Sequence, residues 1–211
     1  LPPVAPLPVG NDLPLPQISA RHVFILDRSS KMVLYQLDGD AQVFPASTTK
    51  MMTALVALTN YSLNQVITVS RSYPIGQNID LQPGEQLTVE QLMYAMLVIS
   101  GNDAAEILAE NFPGGRSAFI SAMNTTAEKL HLVRTHFANP TGIDEANHYS
   151  SAADLIRLAD VALKNPEFSR IVATENAVVS STGSPTPHIL NNVNQLLGKI
   201  AGVKGVKTGY T

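Results

Sequence analysis

The chain has 211 residues, of which 45% are hydrophobic and only 15% are charged, so it can bury a sizeable core and is not a disordered chain. Its formal net charge of −3 and its lack of a basic stripe argue against nucleic acid as the main partner. Without cysteine it can form neither disulfides nor a Cys-ligated zinc site. It contains no apolar run long enough to cross a bilayer as a helix.

The first part of the chain divides into a leader and the start of a domain. Residues 1–20 are rich in proline and are predicted to form an extended leader, whereas residues 21–211 are predicted to form one domain. The apolar runs 23–26 and 32–35 flank a polar loop, which predicts a β-hairpin. Residues 48–58 are apolar on nearly all sides and predict a helix buried at the centre of the domain.

Helical patterns fill the middle of the chain, and short extended segments surround them. Further helices are predicted after a capping box at 88–91, at 102–110, at 117–130, and from the Ser151 N-cap to the Asn165-Pro166 boundary. Short strands are predicted at 66–69, 78–81, 177–179, 188–190 and 205–208. Strands, then a helical block, then strands again predict an α+β domain with a sheet on one side.

One Ser-x-x-Lys sequence, Ser47-Thr48-Thr49-Lys50, lies where the predicted buried helix begins. The i, i+3 spacing puts Ser47 and Lys50 on one helical face. A serine hydroxyl becomes a good nucleophile only beside a base, and burial can lower the pKa of a lysine enough to make it that base. From the residues alone, the alternative is that Ser47 caps the helix and Lys50 reaches solvent.

Two more short motifs lie at positions where side chains can converge. Ser100-Gly101-Asn102 joins two predicted helices, although Asn102 or Asp103 could equally be the N-cap of the second helix. Lys207-Thr208-Gly209 follows an extended Gly-Val stretch, where Gly209 would let a substrate backbone lie alongside. The alternative for the latter is a strand end with a solvated lysine.

In this order and context, the three motifs resemble those of the low-molecular-mass penicillin-binding proteins, the serine-type D-alanyl-D-alanine carboxypeptidases. The resemblance extends from about residue 22 onward, with supporting segments at 45–54, 81–85, 100–105, 137–142, 148–152 and 206–211. It implies the penicillin-binding/β-lactamase-like serine peptidase fold, an antiparallel sheet plus a helical subdomain. The C-terminal strands that follow Lys-Thr-Gly in that family are missing from this chain, so we expect a domain truncated after that segment.

The resemblance implies three catalytic residues. Ser47 would be acylated by the carbonyl of the penultimate D-alanine, and its backbone N–H would form half of the oxyanion hole. Lys50 would take the proton of the serine hydroxyl. Ser100 would relay a proton towards the leaving D-alanine.

The resemblance also implies a set of substrate-binding residues. Asn102 would hydrogen-bond the substrate amide, and Thr208 would bind its terminal carboxylate. Lys207 would keep Lys50 unprotonated by like-charge repulsion and add positive potential. Gly209 would lie against the substrate backbone, and the N–H of Tyr210 would complete the oxyanion hole.

The implied chemistry needs neither metal nor organic cofactor, and the five histidines show no metal-ligand spacing. The implied partners are a peptidoglycan pentapeptide as substrate and β-lactams as covalent inhibitors. The implied location is extracytoplasmic, in the periplasm or at the outer face of the cytoplasmic membrane. A signal peptide, and any membrane association, would come from segments outside this chain.

Three other functions stay open. A D,D-endopeptidase that cuts peptidoglycan cross-links would share all three motifs. A non-catalytic module that binds peptidoglycan or β-lactams would retain the fold. A β-lactamase is disfavoured, because the chain has no Glu-x-x-x-Asn sequence for deacylation and carries Gly101 where class A enzymes have the Asp of Ser-Asp-Asn.

Overall fold

The computed structural model describes residues 17–182 and 187–211, so most of the predicted leader lies outside the described residues. The elements, in chain order, are β1 (Val23–Leu26), β2 (Val33–Leu37), α1 (Lys50–Asn60), β3 (Val66–Thr68), β4 (Gln86–Thr88), α2 (Val89–Val98), α3 (Asn102–Glu110), α4 (Gly115–Lys129), α5 (Ala152–Ala162), α6 (Pro166–Val172), β5 (Asn176–Val179) and β6 (His188–Asn191). A short 3-10 turn, Ala46–Thr49, leads directly into α1.

The described strands pair as three antiparallel ladders, β1 with β2, β3 with β4, and β5 with β6. Val23 lies opposite Leu37 in the first ladder, Val66 opposite Thr88 in the second, and Asn176 opposite Asn191 in the third. The helices form the body between these hairpins. The α+β prediction is therefore confirmed, while the extent of the domain from residue 21 to 211 stays a prediction.

The core lies where α1, α2, α3 and α4 meet. Met52 of α1, Leu92 and Met93 of α2, Leu108 of α3 and Phe119 of α4 are fully buried. The Phe112 ring packs edge-on against Phe119, with 5.3 Å between the ring centroids. Because α1 is enclosed on nearly all sides, the residues at its N-terminal end are held by the core.

The predicted caps explain where several helices begin. Thr88 Oγ1 accepts from the N–H of Gln91 at 3.2 Å, and Gln91 Oε1 accepts from the N–H of Thr88 at 2.8 Å, which is the predicted capping box. Ser151 caps α5 as predicted. Helix α6 was not predicted, although Asn165 accepts from the N–H groups of Glu167 and Phe168, and Pro166 occupies the first turn.

Two predicted strands are wrong. At 78–81 the N–H groups of Ile79 and Leu81 donate to the carboxylate of Asp103 rather than to a neighbouring strand. The predicted strand at 205–208 does not form. Residues 203–211 have no assigned helix or strand, because no strand within the described residues pairs with them. Among the helices of residues 17–182 and 187–211, none is long and apolar enough to cross a membrane.

Candidate active site

The turn that carries Ser47 has a constrained backbone. Ala46 has a φ of 48°, in the left-handed region that non-glycine residues seldom adopt. The backbone of Gly142 lies directly against it, at a φ of 90°, and a Cβ there would be 1.8 Å from the carbonyl oxygen of Ala46 and 2.9 Å from the nitrogen of Ser47. Only glycine fits such a contact, so the 139–142 loop fixes the position of the Ser47 backbone.

Lys50 does not reach solvent, because its side chain is fully buried at the first turn of α1. Its Nζ donates to Ser47 Oγ at 3.0 Å, to Asn102 Oδ1 at 2.6 Å and to the carbonyl oxygen of Thr141 at 2.7 Å. Three acceptors match the three N–H bonds of the ammonium form. The neutral amine has only two N–H bonds, and the oxygens of Asn102 and Thr141 accept both, so its lone pair is left facing the Ser47 hydroxyl.

The surroundings of Lys50 favour this neutral form. The pKa of Lys50 is lowered from 10.5 to about 7, mainly by burial and also by the positive charge of Lys207, whereas the carboxylates of Asp103 and Glu106 act in the opposite direction. The amine can therefore accept a proton from Ser47 near neutral pH. A base of this kind is what an unactivated serine requires.

Ser100 and Asn102 enter the site from the junction between α2 and α3. Ser100 is buried, has a φ of 71° and lines the same cavity as Ser47. Asn102 is the first residue of α3, and its Nδ2 donates to the carbonyl oxygen of Ile75 at 3.0 Å. That bond turns Oδ1 towards Lys50. Asn102 thus belongs to the first turn of α3 and also contacts the proposed base.

The 139–142 loop contributes a group to the site that was not among the predicted site residues. The side chain of Asn139 accepts from the hydroxyl of Thr141 at 3.0 Å and from the N–H of Gly142 at 2.8 Å. Thr53 Oγ1 donates to the carbonyl oxygen of Pro140 at 2.6 Å. These contacts hold the carbonyl oxygen of Thr141 within hydrogen-bond distance of Lys50 Nζ. The Asn-Pro-Thr-Gly sequence indicated a turn, but no residue pattern shows which carbonyl of a turn meets a distant lysine.

His148 hydrogen-bonds the 3-10 turn 46–49 through Thr49 and is not placed to act as a general base. The N–H of Ala138 donates to its Nδ1 at 3.0 Å, so the ring proton is on Nε2, which lies 2.8 Å from Thr49 Oγ1 and donates to it. Burial lowers the pKa of His148 to about 4. The ring is therefore neutral, and it links the loop that follows α4 to the turn before α1.

The C-terminal segment closes the cavity in front of Ser47. Thr208, Gly209 and Tyr210 line it together with Ser47, and a Cβ on Gly209 would lie 3.2 Å from that of Ala46. The cavity has a volume of about 640 Å³.

Lys207 lies beside this segment, and its Nζ donates to the carbonyl oxygen of Thr208 at 3.0 Å. Burial lowers the pKa of Lys207 to about 8. All eight predicted site residues thus lie at or directly beside one cavity, although the Lys-Thr-Gly segment reaches it without being part of a sheet.

A sequence model of the D-alanyl-D-alanine carboxypeptidase family matches residues 10–211. The chain belongs to this family. It is 36% identical over 200 residues to the D-alanyl-D-alanine carboxypeptidase DacF of Bacillus subtilis, an alignment that covers 91% of this chain and 51% of the relative. It therefore spans about half the length of that relative.

Two further comparisons describe the fold and the range of names in the family. A crystal structure of an evolved penicillin-binding protein homologue from Mycobacterium tuberculosis superimposes with a TM-score of 0.89 at 33% identity, covering 97% of this chain and 78% of the other. A D-alanyl-D-alanine endopeptidase from Pseudomonas aeruginosa is 32% identical over 215 residues, covering all of this chain and 67% of the relative. The predicted family and the predicted penicillin-binding fold are confirmed.

Proposed function

We propose that the protein hydrolyses the terminal D-alanyl-D-alanine bond of peptidoglycan stem peptides through an acyl-Ser47 intermediate. The observation that carries the proposal is the buried amine of Lys50, 3.0 Å from Ser47 Oγ, with its other two partners unable to donate a hydrogen. Family membership supports the same substrate class. The extracytoplasmic location of the substrate would place the protein outside the cytoplasmic membrane.

In the acylation step, Ser47 Oγ attacks the carbonyl carbon of the penultimate D-alanine while its proton passes to Lys50 Nζ. The resulting oxyanion accepts from the N–H groups of Ser47 and Tyr210, and the loss of one such donor typically costs ~10²–10³ in rate. The C–N bond then breaks. Ser100 relays a proton to the departing nitrogen, so that D-alanine leaves as an amine and Ser47 is left as an ester.

The second step returns the enzyme to its starting state. A water molecule attacks the ester carbonyl, gives one proton to Lys50 and releases the shortened peptide as a carboxylic acid, while Ser47 recovers its hydroxyl hydrogen. Asn102 holds the substrate amide, and Thr208 binds the terminal carboxylate, to which Lys207 adds positive potential. β-Lactams would acylate the same serine, because they carry an amide carbonyl and a carboxylate in a similar arrangement.

The second candidate is a D,D-endopeptidase, and the similarity to the Pseudomonas aeruginosa endopeptidase favours keeping it. Both activities use the same acyl-serine chemistry and differ in the amine that leaves. Purified pentapeptide and purified cross-linked dimer, digested side by side and analysed by chromatography, separate the two. Release of free D-alanine supports the carboxypeptidase, and conversion of dimer to monomer supports the endopeptidase.

The acyl-serine chemistry is tested by incubating the protein with benzylpenicillin and measuring its intact mass. We expect one adduct, mapped to the peptide that contains Ser47. Ser47→Ala should abolish it, while the matched control Ser62→Ala should retain it. Ser62 lies in the other Ser-x-Asn sequence of the chain and is exposed to solvent, and within the described residues its hydroxyl is bonded only to Asn64, at 2.6 Å. An adduct on folded Ser47→Ala protein, or none on the folded parent, would contradict the proposal.

A further inference from the structure

A long irregular segment forms one wall of the active cavity. Residues 69–85, between β3 and β4, contain no helix or strand, yet Gly76 and Gln77 within them line the cavity with Ser47. Backbone N–H groups of such a segment need partners outside a sheet. What supplies those partners therefore determines where the wall of the cavity lies.

Asp103, in the first turn of α3, supplies partners for two N–H groups of this segment. One oxygen of its carboxylate accepts from the N–H of Ile79 at 3.0 Å and of Leu81 at 3.2 Å, and the other accepts from the N–H of Ala104 at 2.9 Å. Asp103 is buried, and in the part of the chain that the structure describes it has no salt-bridge partner. Its charge is stabilised by backbone donors, which tie the 75–81 segment to α3.

Asn102 is bonded to the same segment. Its backbone N–H donates to the carbonyl oxygen of Gln77 at 2.7 Å, and its Nδ2 donates to the carbonyl oxygen of Ile75 at 3.0 Å. An amide that gives its NH₂ group to Ile75 must present its oxygen on the other side, where Lys50 lies. If the 75–81 segment moved away, the amide could rotate and point its NH₂ group at the amine of Lys50.

We infer that Asp103 is a positioning residue for the acylation of Ser47: by binding the backbone of the 75–81 segment, it fixes the carbonyl that orients the Asn102 amide towards Lys50. The inference rests on the proposed function for its catalytic consequence, but the link between Asp103 and the segment is independent of any reaction. The two parts are therefore tested separately.

Hydrogen exchange tests the link to the segment without requiring acylation. Asp103→Ala removes both acceptor oxygens, so the N–H groups of Ile79, Leu81 and Ala104 lose their partner. We expect faster exchange over residues 75–81 in this variant. The matched control is Asp154→Ala, because Asp154 is also buried in the first turn of a helix and accepts from the N–H of Arg134 at 2.7 Å, away from the cavity. Unchanged exchange over 75–81 in folded Asp103→Ala protein would overturn the inference.

Acylation by benzylpenicillin as a function of pH tests the orientation of Asn102. Gly76→Ala displaces the Asn102 amide directly, since a Cβ on Gly76 would lie 2.5 Å from Asn102 Nδ2. It leaves the charges of Asp103, Glu106 and Lys207 in place. We expect a loss of roughly tenfold or more in acylation rate, and a shift of the acidic limb to lower pH because the ammonium form of Lys50 loses an acceptor.

Gly84→Ala is the matched control for this variant. Gly84 lies in the same irregular segment at a φ of 93°, and a Cβ there would meet nothing within 4 Å. It should show the backbone strain alone, with a parental pH profile. If Asp103→Ala does not fold, the Gly76→Ala and Gly84→Ala pair decides. If folded Gly76→Ala protein has the acylation rate and the pH profile of the parent, the inference is overturned. If benzylpenicillin does not label the parent, but the Asp103 variant still exchanges faster over residues 75–81, only the proposed function is contradicted.

Discussion

The acylation rate should depend on pH through the protonation of Lys50. At its ordinary pKa of 10.5, roughly one molecule in three thousand would carry a neutral amine at pH 7, whereas a pKa of about 7 makes half of them neutral. Below pH 6 the neutral fraction falls roughly tenfold for each pH unit. The rate constant for acylation by benzylpenicillin should therefore rise through about pH 7 and level off, before it falls again above about pH 8 where Lys207 loses its charge.

Replacing Lys207 by glutamine perturbs this profile in a direction that can be stated beforehand. The charge of Lys207 lowers the pKa of Lys50, so its removal raises that pKa and moves the acidic limb to higher pH. In the parent protein, Lys207 itself loses its charge above about pH 8, which weakens the attraction of the anionic substrate. Lys207→Gln should therefore also lose the alkaline limb, and its rate should be lower at every pH below 7.

The measurement is the rate of fluorescent-penicillin labelling from pH 5 to 9 by rapid quenching, at constant ionic strength because charge interactions are screened by salt. Lys204→Gln is the matched control, since Lys204 is an exposed lysine three positions earlier and should leave both limbs unchanged. A rate that is constant from pH 5 to 7, or an acidic limb that moves to lower pH in Lys207→Gln, would refute the reasoning.

Three substitutions test the framework around the site. Gly142→Ala should abolish penicillin labelling and lower the melting temperature, because its Cβ would overlap the Ala46 carbonyl. The control Gly115→Ala should keep its labelling, because Gly115 has a φ of 76° and its added Cβ would meet nothing within 4 Å. Equal labelling of the two variants would contradict this prediction. Thr88→Ala should lower the free energy of unfolding by about 1 kcal/mol in urea titrations through loss of the capping box, and no change would show that the cap contributes nothing. Phe119→Ala, at a fully buried position, should cost about 3–5 kcal/mol in the same assay, and a loss below about 1 kcal/mol would contradict the packing described.

Elements with a local cause were predictable from the sequence. The capping box at Thr88 and the N-cap at Ser151 lie within four residues of the groups they bind, and both helices form as predicted. The buried helix α1 was recognisable because its residues are apolar on nearly all sides, although the structure winds residues 46–49 as a 3-10 turn before it. The three motifs were likewise visible as short sequences, and the resemblance connected them.

Features that depend on contacts between distant residues were not predictable in the same way. The 78–81 segment has strand-like residues, but its N–H groups bind Asp103, more than twenty positions later in the chain. Thr141 contacts Lys50 through a carbonyl oxygen, which every residue has, so its side chain gave no signal. The helix α6 is the exception, because Asn165 and Pro166 provide a local signal for its start as well as for the end of the preceding helix.

The energetics of the site favour a chemical role over a structural one. Ala46 and Ser100 both adopt left-handed backbone conformations, each at a cost of order 1–3 kcal/mol. Ala46 directly precedes Ser47, and both Ser47 and Ser100 line the cavity. Lys50 adds the cost of a buried amine, since it is fully buried and has no carboxylate bonded to it in the described residues. Stability alone would favour an apolar side chain at such a position. The arrangement that carries these costs directs the lone pair of the neutral Lys50 amine towards the hydroxyl of Ser47.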